Sequence, residues 1–403
     1  MNKTVIISGI GLAAAAMFSA CTKNEVSSIA DAPQKISFSP LTGKLSTKAL
    51  LDGSTYKSTD PSFGVFGYYL PEGKTWDQNY STASLYVPES EVKNSTNSDT
   101  GNAWTTETAY YWPKTGGITF FAYSPYNYQE AAGGKLPVNR LNDGMYIGNP
   151  LGDLSDLYDV DAHQETDILV ADVQKDCSGS STNGGYSGVP IVFRHKLSQI
   201  VGIDFSTVNA NGEPKDYANG HDGSNGKEYE AGDVVFQLLK VELNDLSVKG
   251  AYILHMGSAE KDEWMASSAD EAKKDYIWYD KSSGNATPDQ FGKAALNLTF
   301  NNYYPNANSY LLILPQDLEK TASTQSTEPY FQISYQVLTY TDAVNHSTEV
   351  VNKKVMLHEL HASTLIEKNK RIRYTFRITL DNQQIYWAPS IENWEGESRN
   401  MQF

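Results

Sequence analysis

The chain has 403 residues, 26 of them Tyr, with frequent Gly, a balance that favours strands and turns over helices. Its formal net charge of −16 argues against a nucleic-acid partner, since phosphates call for a basic face. At about 150 residues per domain, the length has room for two or three domains.

The chain opens with Lys3 and an apolar stretch, residues 5–17, too short to span a bilayer and shaped like an export signal. It closes on Phe18-Ser19-Ala20-Cys21. Small residues before a cysteine suit a lipoprotein signal peptidase, so the expected signal is 1–20 and Cys21 is the expected lipidation site. Long acyl chains such as palmitate on Cys21 hold a protein to a membrane without a spanning helix, at about 0.8 kcal/mol per buried methylene. If Cys21 is acylated, Cys177 has no partner for an internal disulfide.

Residues 21–33 are polar and read as a tether. Residues 34–39 alternate as a short strand, and a polar run with the basic Lys48 before Ala49 follows. That arrangement offers a protease a place to detach the first strand. Residues 63–69 read as a buried or bulged strand, and 74–101 as a long loop carrying one short strand at 85–87. Residues 109–113 and 118–123 flank Gly116-Gly117 and read as a hairpin. Residues 127–164 are loop-rich, 167–171 form a short strand, and Cys177 falls in a Gly/Ser loop.

The Gly/Ser run 178–188 is the best boundary, dividing the chain into 34–185 and 186–403. Residues 189–205 form a long apolar run with room for a bend, and 209–232 a polar loop. Two strands are expected around Asn244-Asp245, a short helix within 259–276, and strands at 296–300, 310–314 and 331–337. The clearest alternation covers 372–380, and the last strand signal is Ile385-Tyr386-Trp387, with Ile391 and Trp394 beyond. Many short strands without intervening helices make an all-β antiparallel sandwich the simplest architecture.

No catalytic constellation stands out. His358 and His361 are three apart rather than four and lack a third ligand. The acidic run Asp153, Asp156, Asp159, Asp161, Glu165 and Asp167 lacks calcium-loop spacing. His195 lacks a visible nucleophile. We therefore expect no enzyme, metal or cofactor. Trp76, Trp104, Trp264 and Trp278 lie in polar surroundings, where a sugar-stacking platform would be placed.

The chain resembles the fimbrillin family, lipoprotein precursors of fimbrial subunits in Bacteroidia. The stretches that carry the resemblance are the lipobox ending at Cys21, Phe63-Gly64-Val65-Phe66, Tyr111-Trp112-Pro113 with residues 118–125, Phe193-Arg194-His195-Lys196-Leu197-Ser198, and Leu312-Ile313-Leu314-Pro315-Gln316. Tyr374-Thr375-Phe376 and Trp394 fit too, so the likeness spans nearly the whole chain. It implies two tandem transthyretin-like β-sandwich domains and assembly by strand exchange. In the scheme the resemblance implies, a lipidated precursor reaches the outer membrane and cell surface, a trypsin-like processing protease removes the first strand, and a strand from another fimbrial subunit fills the groove.

Lys48-Ala49 stands where the family has arginine before alanine, and an arginine-only protease finds no arginine before Arg140. Donor-strand candidates are Ile385, Trp387, Ile391, Trp394, Met401 and Phe403. The alternatives are an uncut loop at Lys48, an accessory, anchor or tip role, or a monomeric glycan-binding surface lipoprotein.

Overall fold

The computed structural model describes residues 34–42, 62–97, 101–127, 138–141, 144–179, 188–256, 262–283, 290–319, 328–380 and 385–394. The signal, Cys21, the tether, Lys48, Ala49, Met401 and Phe403 lie outside the described residues.

The first strands, β1 (Phe38–Thr42) and β2 (Phe63–Leu70), follow the first two apolar stretches. One turn of helix, α1 (Trp76–Asn79), buries Trp76. Half of the supposed long loop is a 14-residue strand, β3 (Ser84–Asn97), which takes in the short strand expected at 85–87 and pairs with β4 (Gly101–Thr106). Its buried apolar residues are Val87 and Val92, so its composition reads as polar. The expected hairpin around Gly116-Gly117 is absent. β5 (Gly117–Ser124) pairs with β2, and Tyr111 forms only a bridge to Lys35.

Three short strands, β6 (Val138–Leu141), β7 (Gly144–Ile147) and β8 (Tyr158–Asp159), occupy the stretch read as loop-rich. β9 (Leu169–Ala171) precedes β10 (Gln174–Cys177), so Cys177 ends a strand rather than sitting in a loop. The long apolar run bends at Lys196-Leu197 and becomes β11 (Val189–His195) and β12 (Ser198–Thr207).

The strands expected on either side of Asn244-Asp245 do not form a hairpin. β13 (Val234–Ser247) runs through both residues, its ladder register slips there, and Asp245 takes φ 59°. This is a bulge, a conformation that aspartate tolerates. β14 (Lys249–His255) joins a different sheet. β15 (Asp262–Ala266) and β16 (Lys273–Asp280) stand in place of the short helix, with one 3-10 turn between them. The remaining strands are β17 (Gln290–Phe291), β18 (Leu296–Leu298), β19 (Leu311–Ile313), β20 (Gln316–Asp317), β21 (Tyr330–Tyr340), β22 (His346–Met356), β23 (Leu365–Ile366), β24 (Lys370–Ile378) and β25 (Ile385–Asn393).

The chain is thus all-β apart from short helical turns. In the first half the order β5-β2-β3-β4-β1-β11-β9 returns to β5, so the sheet closes on itself and β10 adds to β5. This differs from the separate sheets of a simple sandwich. Its strands are buried on both faces where the sequence is continuously apolar. Phe63, Val65 and Phe120 point to one core, while Phe66 and Phe121 point to the other. That second core is shared with the rest of the chain.

In the second half, β18-β12-β24-β25 with β19 packs against β16-β13-β21-β22 with β17. Phe331 meets the ring of Tyr374 at 5.0 Å and that of Phe376 at 5.5 Å between them. A further sheet, β15-β14-β7-β6 with β8, draws strands from both halves. Phe331→Ala is expected to cost about 3–5 kcal/mol of stability, read from the urea midpoint at constant slope, because the rings around it cannot close the cavity.

Candidate functional site

The site is the seat of β1. This strand lies between β4 and β11 in the closed sheet. It runs parallel to β11, from Phe38 opposite Val189 to Thr42 opposite Phe193. Toward β4 it makes one ladder pair, Phe38 with Trp104, and residues just before it extend that contact. The Ile36 N–H donates to the Tyr110 carbonyl at 2.8 Å, and the Trp112 N–H to the Gln34 carbonyl at 2.9 Å. On the other side the Val189 N–H donates to the Ser37 carbonyl at 2.8 Å.

Beneath the backbone, Ile36 and Phe38 are buried in the core of the closed sheet. The Phe38 ring stands edge-on to Phe120 at 5.6 Å and to Phe63 at 6.1 Å. Phe63 in turn meets Phe193 at 5.4 Å and Trp104 at 5.7 Å. Burial of each such apolar side chain contributes about 1.5–3 kcal/mol. Gly188 makes the close approach possible: its φ is +88°, and a Cβ there would stand 2.9 Å from the Phe38 carbonyl carbon. Without β1, the aromatic floor and the facing backbone groups of β11 and of residues 110–112 would lose their cover.

The C-terminal candidates fall elsewhere. Ile385, Trp387 and Ile391 lie in β25, which pairs antiparallel with β24 of the same chain. Ile391 is half-buried and Trp394 is 2% exposed. The Trp394 ring stacks on His195 at 4.2 Å, and the Trp394 backbone N–H donates to the Asn369 carbonyl at 2.8 Å. His195 holds the Asp167 carboxylate through Nδ1. His195 therefore acts in the core, and it ends the strand against which β1 lies.

The other candidate chemistries scatter. His361 Nε2 meets the Tyr374 hydroxyl at 2.8 Å, whereas His358 faces Glu328 at 3.4 Å. Among the acidic residues, Asp153 and Asp156 cap one turn, Asp159 accepts two backbone N–H groups, and Asp161 holds Lys274 and Tyr276. Trp76, Trp104 and Trp278 are buried, and Trp264 is half-buried with its N–H on the Lys196 carbonyl. They form no exposed platform, because polar neighbours in sequence do not keep an alternating side chain in water. Cys177 is buried, and burial pushes its thiol up to about 11.

A cleft of about 800 Å³ between β15 and β23 is lined by Asp262, Trp264 and Lys368. Burial works to raise the Asp262 carboxyl, but Lys196 and Lys368 beside it hold it well below the usual range. Asp262 and Lys368 are thus engaged with each other, and Asp262 also with Lys196.

Two outcomes follow from this geometry. Phe38→Ala should lower stability by about 3–5 kcal/mol and speed proteolysis at residues 43–61, read by denaturation and timed digestion. His361 is neutral in the fold, with burial lowering its pKa to about 4 from an ordinary value of about 6.5. Its contribution is present above about pH 6.5 and is lost as pH falls toward about 4. His361→Gln should flatten that part of the stability–pH curve.

The model for fimbrillin-like proteins matches residues 47–394. A fimbrial protein from Bacteroides vulgatus superposes with TM-score 0.51 at 18% identity, covering 89% of this chain and 99% of that one. Candidate cell adhesion proteins from Bacteroides uniformis and Parabacteroides distasonis align at TM-scores of 0.39 and 0.41, with 12% and 10% identity; they cover 89% and 90% of this chain and 98% and 100% of their own. No curated protein matches. The extent of the family match places this chain in the fimbrillin-like family.

Proposed function

We propose that the protein is a structural or adhesive fimbrial subunit that assembles by exchanging its first strand. The observation that supports this reading is the seat of β1, an interior strand between β4 and β11 with Ile36 and Phe38 over an aromatic floor. A strand in that position can be replaced by another of similar alternation, because backbone bonds supply affinity and side-chain pockets supply register. In this reading the precursor is exported, acylated at Cys21 and held at the outer membrane. A protease then cuts between Lys48 and Ala49, in the connection after β1.

The incoming strand comes from another fimbrial subunit. The donor lies within residues 385–403, with Ile385, Trp387, Ile391, Trp394, Met401 and Phe403 as its anchors, and to donate, β25 must first leave β24. The closed first sheet and the facing pair of sheets stand, on this account, for the two tandem transthyretin-like modules; the closed sheet takes β11 (Val189–His195) from past the boundary expected at 185/186, so the first module runs to about residue 195.

Limited trypsin treatment of the full chain, compared with a variant in which Lys44, Lys48 and Lys57 are all replaced by Gln, tests the proposal. The unaltered chain is expected to be trimmed near Lys48 and to form SDS-resistant ladders, while the variant stays monomeric. A peptide of residues 34–42 added in excess should suppress the ladders by refilling the groove. Trimmed protein that stays monomeric without peptide would count against exchange.

A further inference from the structure

The strand β22 is the outer member of the sheet β16-β13-β21-β22, and among the described residues no strand pairs along its far side. It is 11 residues long, and residues 346–350 are all exposed, with Val350 at 56%. A free edge of that length presents a row of N–H and C=O groups ready for another strand. Lysines on an edge usually discourage such pairing. Here their placement specifies a partner instead.

Glu349 and Lys353 stand on the same side of β22, since they are four residues apart in a period of two. About 13 Å of strand separates them, too far for them to pair with each other. Neither has an ion-pair partner among the described residues. Lys354 lies on the opposite side, its ammonium 3.7 Å from the centre of the Tyr330 ring. Asn352 accepts a hydrogen bond from Ser334 at 2.6 Å. The side carrying Glu349, Val351 and Lys353 is also the side on which Val355 enters the core.

We propose that β22 pairs antiparallel with β22 of a second copy of this chain, in a register centred on Val351. Mirroring the sequence about Val351 sets Glu349 of each copy against Lys353 of the other. Val351 then meets Val351, and Val350 meets Asn352. The axis runs through the sheet, so the two sheets continue as one with their cores on the same side. Slipping by one residue in either direction sets Lys353 against Val350 or Thr348 and leaves its charge unpaired. The contact is isologous and lies away from the seat of β1, so it stands independently of strand exchange.

Oxidative crosslinking of the full chain tests both the partner and the register. In Val351→Cys the two thiols face each other across the axis, at a separation a disulfide spans. In Val350→Cys they lie on a diagonal at about 7–8 Å, past what a disulfide bridges. Cys177 is buried and does not compete, and both variants carry Cys21→Ser, which removes the remaining native thiol. On non-reducing gels Val351→Cys is expected to give crosslinked dimer at least about tenfold faster than Val350→Cys. Adding Glu349→Lys or Lys353→Glu singly to Val351→Cys should slow the crosslink, and adding both should restore it, because the double swap rebuilds the opposite-charge pairs. Equal rates for the two cysteine variants, no dimer, or indifference to the single charge changes would overturn the proposal.

Discussion

A buried strand must satisfy its backbone on both sides, and β1 meets that requirement with partners that are not its neighbours in sequence. Its parallel partner β11 begins about 150 residues later, and its other neighbours are Trp104 and residues 110–112. The closed sheet of the first half depends on this one short segment. Each group of β1 that pairs is matched by a group on β11 or near β4 that would otherwise face nothing. Beneath it, Phe63, Phe120, Phe193 and Trp104 form a floor that only an apolar strand can cover. The seat thus combines two costs of vacancy, unsatisfied backbone and exposed aromatic surface. Both would be relieved by any strand of matching alternation, which is the physical basis of the proposed exchange.

The seat is also linked to the far end of the chain. β11 pairs with β1 along one side, and its last residue, His195, stacks on Trp394 just beyond β25. Asp167 holds the imidazole from the other side. First and last strands therefore converge on one element through direct packing. Trp394 seats β25 through its ring and through its backbone N–H, which donates to the Asn369 carbonyl, while the Asn369 N–H donates to the Leu197 carbonyl at 2.9 Å.

Much of this was legible in the sequence where a strand has one dry and one wet face. β24 shows it most clearly, since Ile372, Tyr374, Phe376 and Ile378 are buried in alternation. A bend was expected somewhere in the middle of the apolar run 189–205, and it falls at Lys196-Leu197. β3 was read only at 85–87, and β22 was missed, because each is exposed along much of its length and carries a polar composition. The Gly116 turn is real, with φ +82°, but a turn does not say which strand lies beside the next one. Asn244-Asp245 looked like a hairpin turn because the same residues serve bulges. The tryptophans misled for a related reason. Trp278 follows a polar stretch, yet it sits within β16 on its buried face. Alternation in residues 34–39 announced a first strand, whose ladder falls at Phe38–Thr42, while the groove beneath it was an implication of the family resemblance. The contact of His195 with Asp167 and Trp394 left no local signal, because it joins segments far apart in the chain.

The central claim is that the groove under β1 accepts a replacement strand. Amide hydrogen exchange at Val189 and Trp112, which donate to Ser37 and Gln34, reports on it directly. The account predicts protection in the intact chain, loss of protection once β1 is cut away and removed, and recovery when a second subunit or a strand peptide enters. Protection that is the same with and without β1, or that no added strand restores, would contradict it.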